Sequence, residues 1–155
     1  MINSGNIAVI LISEAGLDIA LKLKKELPHV TVYSKSEYDG CEKAESYKEL
    51  LAGRFADFDA FIFIGALGIC VRYISACVND KHTDPAVVNI DSTGRFAVSV
   101  LSGHIGGGNE LAVRAAVVIG AQPVITTQSD NTGLWALDTM ANRFGWQTSA
   151  TPAQM

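Results

Sequence analysis

The sequence predicts an α/β protein of three layers, a mostly parallel sheet with helices on both faces. Three observations carry this. Two runs, NIAVILI (residues 6–12) and DAFIFI (residues 59–64), are apolar and β-branched without alternation, as strands buried on both faces are. Segments with apolar residues near helical spacing separate the strand-like runs. With 48% of its residues apolar and 18% charged, a chain of 155 residues can bury a sizeable core. Strands alternating with helices then imply a Rossmann- or flavodoxin-like arrangement.

After the first strand, Ser13 offers an N-cap, and Leu17, Ala20, Leu21 and Leu27 mark a helix up to Pro28. HVTVY (29–33) alternates as a second strand. Residues 34–44 are polar and acidic, a surface loop, and 45–52 form a short helix closed by Gly53. DAFIFI is the third strand, followed by a helix over 67–78 that the polar tract NDKHTDP breaks. Residues 86–90 and 96–101 are strands joined by the turn DSTGR. A helix over 109–119 turns Leu111, Ala112, Ala115, Ala116 and Ile119 inward and stops at Gly120. PVITT (123–127) is another strand, and Leu134, Leu137, Ala141 and Phe144 line a last helix ended by Gly145. Residues 1–145 are thus expected to form one N-terminal domain, with 146–155 a linker or the start of a truncated middle region.

The bulk properties narrow the function classes. A net charge of −4, with Lys22, Lys24 and Lys25 as the densest basic group, argues against a nucleic-acid footprint. The most apolar stretch, 60–71, falls short of the about 20 residues a membrane span needs. The N-terminus lacks the features of a secretory signal. Cys41, Cys70 and Cys77 form no CxxC pair and are expected to be reduced thiols in a cytoplasmic protein.

Ligands of open α/β sheets bind where loops leave the carboxyl ends of strands. Three loops qualify: IGALGICVR (64–72), LSGHIGGGNE (101–110) and TTQSDNTG (126–133). Each leads into a helix N-terminus, where backbone N–H groups favour an anion. IGALG alone reads as readily as a strand-to-helix turn. In GHIGGG, three adjacent glycines cost roughly 1 kcal/mol each against alanine, which favours a ligand over a turn. His104 is either a hydrogen-bonded loop residue or a group for proton transfer near neutral pH. Ser102 is not in a nucleophile elbow, the three histidines share no metal-ligand spacing, and the glycines do not form GxGxxG. In KHTDPAVVNID (81–91), Lys81 offers a point charge for a carboxylate, Asp84-Pro85 a rigid turn, and Asp91 either a turn cap or a cleft-facing acid.

Taken in order, IGALGICVR, DKHTDPAVVNID, FAVSVLSGHIGGGNELA and PVITTQSD resemble the N-terminal region of the cobalamin-biosynthesis hydrolases that act on cobalt-precorrin 5A. The resemblance covers residues 61–130. It implies a tetrapyrrole substrate bearing acetate and propionate groups, hydrolytic opening of its δ-lactone with loss of acetaldehyde, and no protein-held cofactor or metal, the cobalt being carried by the substrate. On the matching positions it implies His104 and Asp130 as catalytic residues. It implies substrate contacts from Gly65, Gly68 and Arg72, from Lys81 and Asp84, from Ser102, Gly103, Gly106, Gly107, Gly108, Asn109 and Glu110, and from Thr126 and Thr127. The backbone N–H groups of residues 106–109 would cradle an oxyanion or carboxylate. Gly108 replaces an expected alanine, a change expected to loosen the loop. Family members continue into middle and C-terminal domains, so those domains are expected partners; a homodimer stays open, and nucleic acid and membrane are not expected. A non-catalytic tetrapyrrole-binding scaffold is the alternative, and a phosphate or nucleotide binder a third reading.

Overall fold

The computed structural model describes residues 5–128. The chain divides into two compact units, Met1–Val124 and Ile125–Met155. The first unit holds a seven-stranded sheet built around β1 (Ile7–Leu11), whose five residues are all buried. They are apolar without exception because β1 pairs on both edges and is covered on both faces. Its parallel neighbours are β2 (Val30–Ser34), with Val9 opposite Val32, and β4 (Ala60–Ile64), with Val9 opposite Ile62. A two-residue strand β3 (Glu42–Lys43) closes the edge beside β2. On the other side β4 pairs with β5 (Ala86–Ile90), then come β6 (Phe96–Leu101) and β7 (Gln122–Val124), giving the order β3-β2-β1-β4-β5-β6-β7.

Helices cover both faces, the three-layer α/β architecture that the sequence predicts. Helix α1 (Leu17–Glu26) and helix α4 (Gly108–Ile119) pack together on one face, α2 (Tyr47–Arg54) and α3 (Leu67–Ile74) on the other. Ser46 caps α2, its Oγ accepting the Glu49 N–H at 3.3 Å. Beneath α2 and α3 the core is aromatic. Phe61 stacks on Phe55 at 5.2 Å between ring centroids and meets Phe58 edge-on at 5.3 Å. The buried Tyr47 hydroxyl donates to the Leu11 carbonyl at the end of β1, and burial pushes its phenol up to about 12.

Four elements differ from the sequence reading. The polar segment 34–44 contains β3, because backbone pairing of Tyr33 with Glu42 needs no apolar side chain at a sheet edge. Helix α2 runs through the exposed Gly53, and α3 stops at Ile74, where Ser75 Oγ donates to the Arg72 carbonyl at 3.0 Å. The sheet stops at Val124 rather than Thr127. The helix expected over 134–144 lies outside the described residues.

One topological fact governs everything that follows. β5 and β6 pair antiparallel, with Asn89 opposite Val98, while β6 and β7 are parallel to each other. The link from Asp91 to Arg95 is far too short for a parallel crossover, which needs a dozen residues or more. β6 and β7 therefore run against the other five strands, and α4 runs against α1, α2 and α3.

Candidate functional site

The reversal of β6 separates loops that the sequence reading places together. Gly65 follows β4 and Gly68 opens α3 at the carboxyl edge of the parallel strands. The loop after β6 emerges at the opposite edge, where the turn preceding β5 also lies. A five-residue strand spans about 16 Å. The structure thus assembles Lys81, Asp84 and residues 102–110 at one edge and leaves Gly65 and Gly68 at the other.

Asp84 and Ser102 make the join. Ser102 Oγ donates to the Asp84 carbonyl at 3.0 Å, tying the two loops together. Ser102 does this from a left-handed backbone, φ 53°, a conformation that costs a residue with a Cβ about 1–2 kcal/mol. The Asp84 carboxylate faces its own turn and accepts the Asn79 N–H at 2.8 Å. Asp80 closes the same turn, its carboxylate accepting the His82 N–H at 2.9 Å and its carbonyl the Asp84 N–H at 2.8 Å. Lys81 sits exposed on that turn.

The glycines of the loop each have a reason inside the chain. A Cβ on Gly103 would stand 2.5 Å from Asn109 Oδ1, one on Gly106 2.5 Å from Ser102 Cβ, and one on Gly108 2.8 Å from the Leu101 carbonyl oxygen. Gly107 is the residue before α4 and adopts φ 77°. Gly108 lets α4 approach β6, where an alanine would crowd the Leu101 carbonyl. Nor are the proposed cradle donors idle. The N–H groups of Gly107, Gly108 and Asn109 donate to the carbonyls of His104, Ser102 and Gly103 at 3.3, 3.1 and 3.0 Å. His104 is half-buried and Glu110 exposed.

At the opposite edge, Gly65 is knitted into the sheet. Its N–H donates to the Ile90 carbonyl at 2.8 Å, its carbonyl accepts from Asn89 Nδ2 at 3.1 Å, and a Cβ would meet Ile12. Asn89 is a polar residue inside an otherwise apolar strand and is nearly fully buried. Gly68 differs: a Cβ there would meet nothing within 4 Å. Asp91 caps the β5–β6 turn. Burial alone would raise its carboxyl, but hydrogen bonds from Thr93, Phe96 and Arg95 outweigh this and hold it below the ordinary range.

Arg72 belongs to neither edge. It projects from the outer side of α3 into a cleft against α2, which also takes in Lys48, a residue the sequence reading passes over because nothing marks a lone helix lysine. In the second unit Thr126 is exposed and Thr127 half-buried, and Asp130 lies outside the described residues. Among the described residues no group of His, Cys, Asp and Glu could hold a metal, no helix is long and apolar enough to cross a membrane, and the three cysteines are free thiols.

Residues 49–130 match the family described as Cobalamin synthesis G N-terminal, slightly more than half of the chain. The chain belongs to that family. Similarity to known members extends over nearly all of it. It is 40% identical over 150 residues to a cobalt-precorrin-5A hydrolase of Priestia megaterium, covering 92% of this chain and 40% of that one. The corresponding protein of Salmonella typhimurium is 39% identical over 144 residues, 88% of this chain and 39% of the other. A crystal structure of a candidate cobalamin biosynthesis protein G homologue from Sulfolobus solfataricus superposes with a TM-score of 0.61 at 27% identity, covering 88% of this chain and 39% of that one. The chain thus spans about two fifths of the length of these relatives. The family segment holds both halves of the Asp84–Ser102 junction, so that junction lies in the region that defines membership.

Proposed function

We propose that this chain supplies the N-terminal part of a cobalt-precorrin-5A hydrolase, acting in cobalamin biosynthesis on a tetrapyrrole lactone. The observation that carries the reading is the edge where the Asp84 turn and the Ser102–Asn109 loop are joined. It gathers a titratable histidine, an exposed cation and a strained serine, and it falls within a segment about 40% identical to proteins of that name.

Lactone opening needs an activated water and stabilisation of the developing oxyanion. His104 takes a proton from water as general base. The water oxygen bonds to the lactone carbonyl carbon, the ring C–O bond breaks, and the oxygen ends in a free carboxylate. The freed alkoxide, on the carbon that bears a methyl group, collapses to acetaldehyde by breaking its bond to the macrocycle, whose conjugated system takes the electron pair. With the N–H groups of Gly107, Gly108 and Asn109 paired internally, the Gly106 N–H is the oxyanion donor in this reading. Lys81 meets a substrate carboxylate, and cobalt enters with the substrate.

The test is anaerobic acetaldehyde release from cobalt-precorrin 5A by the 155-residue chain and by a full-length relative, with and without His104→Ala. Loss of about 10²-fold or more in kcat on removing the base is expected where the site is complete. Full activity of the histidine variant sinks the base assignment. Activity in the relative with none in this chain favours the second reading, a tetrapyrrole-binding scaffold whose chemistry needs the other domains.

A further inference from the structure

We propose that the trough between α2 and α3 is a binding site for an anionic amphiphile, a small molecule with carboxylates around an apolar frame. Helix α2 turns Lys48 and Ala52 toward it, one turn apart, α3 turns Ile69, Arg72 and Tyr73, and Ala76 follows in the turn beyond α3. These residues and Cys77 line a cleft of about 480 Å³. Ala52, Ala76 and Cys77 also line a second cleft of about 460 Å³, which runs on past Gly53 and Ala56 to Thr83, Asp84 and Pro85. The shared residues make the two clefts adjoin along the helix pair, and we treat them together as one trough. It ends at Asp84, the residue whose carbonyl holds Ser102.

The trough's chemistry selects the ligand. Its walls are alanine, isoleucine, tyrosine and cysteine, and the small floor residues leave room for a flat body. The cations on its rim are Lys48 and Arg72, at the end away from Asp84, and neither enters an ion pair among the described residues. The ion pairs formed there are Lys43 with Glu37 and Glu45, and Arg54 with Asp57. Two uncommitted cations over an apolar cleft, on a chain of net charge −4, reverse the local sign of the surface. A bare phosphate would satisfy the cations and leave Ile69 and Tyr73 wet. An apolar helix would cover the walls and bury two charges without partners. A carboxylated ring satisfies both, and each cleft lies within the volume range of small-molecule sites.

This inference deepens the proposed function and rests on it only for the natural ligand. The body of the molecule would lie in the trough while its reacting edge reaches the Asp84–Ser102 junction.

The probe is uroporphyrin, an octacarboxylate porphyrin, titrated into the 155-residue chain by fluorescence at moderate salt. Lys48→Ala and Arg72→Ala are each expected to weaken binding about tenfold, and Ala76→Trp, which fills the trough, to abolish it. Lys22→Ala, which removes the same charge from α1 on the far face, is expected to leave affinity unchanged. Bound porphyrin should also slow alkylation of Cys77 at least fivefold while leaving Cys41, which does not line the trough, unaffected. Circular dichroism verifies that each variant is folded. Equal weakening by Lys22→Ala, unchanged affinity in the Lys48/Arg72 double variant, or equal labelling of Cys77 with and without porphyrin overturns the proposal. Binding and protection with no lactone hydrolysis by this chain or by a full-length relative would sink the proposed function and leave the trough standing; hydrolysis with no protection of Cys77 would do the reverse.

Discussion

Ser102 offers a test in which two nearly identical substitutions must differ in a defined order. Its Oγ donates to the Asp84 carbonyl at 3.0 Å, and its backbone sits at φ 53°. A hydrogen bond of this kind contributes about 1 kcal/mol net. Ser102→Ala removes it and keeps the Cβ in the left-handed region, so stability falls by about 1 kcal/mol. Ser102→Gly removes the same bond but relieves about 1–2 kcal/mol of left-handed strain. The greater freedom of glycine in the unfolded chain offsets about 0.4–1 kcal/mol of that relief. The glycine variant should therefore be the more stable of the two by about 0.5–1 kcal/mol, lying between the alanine variant and the parent. Urea unfolding followed by circular dichroism resolves this. With a slope of about 2 kcal/mol/M, the alanine variant's midpoint moves down by about 0.5 M and the glycine variant's by less. A glycine variant as unstable as the alanine variant, or less stable, refutes the reasoning, because it would mean that no strain is held at this position.

Other perturbations follow from the same geometry. Gly108→Ala places a Cβ 2.8 Å from the Leu101 carbonyl oxygen and 3.3 Å from Gly103 Cα, both backbone atoms that yield poorly. Overpacking of about 1–3 kcal/mol, offset by up to about 1 kcal/mol of helix propensity, should lower stability by about 1 kcal/mol and Tm by about 2–4 °C. Gly68→Ala meets nothing within 4 Å and should raise stability by about 0.4–1 kcal/mol in the same melt; a loss of activity with that gain would reveal a ligand close to α3. Asp91→Ala should cost about 1 kcal/mol at neutral pH, as loss of a helix cap does. Because the native Asp91 carboxyl is held below its unfolded value, its stabilisation is complete above the ordinary carboxylate range and lost as pH falls through it. The gap between parent and variant in denaturation midpoint should close below about pH 4, and a gap that persisted into acid would show that the hydrogen bonds do not depend on the charge.

Much of the fold is legible in the sequence because complete burial leaves its own trace. NIAVILI and DAFIFI carry no polar residue on either face beyond their first positions, and only strands covered by helices on both sides tolerate that. The Asn89 amide in AVVNI is the exception, and it holds the Gly65 carbonyl. DSTGR is legible as a hairpin turn, and the hairpin already implies that the glycine loop leaves the sheet at the other edge; three glycine-bearing loops after strands look alike until strand direction is followed. The two-residue β3 leaves no trace, since backbone bonds at an edge ask nothing of side chains. The grounds for each glycine at 103, 106 and 108 are equally silent, because they depend on how closely α4 approaches β6. Lys48 and Arg72 lie 24 positions apart, and only the pairing of α2 with α3 makes them neighbours.

The reversed strand also decides how the protein's own field acts on an anion at the Asp84–Ser102 edge. In an all-parallel sheet the helices would gather their positive poles at one rim, and an anion there would feel all of them together. Here α4 begins where α1, α2 and α3 end, so one positive pole stands among three negative ones, and the helices together leave this rim net negative. Attraction at this rim must come from side-chain cations instead. Charges of that kind are screened over about 8–10 Å in ordinary buffers, so affinity for a polycarboxylate should fall steeply as salt is added.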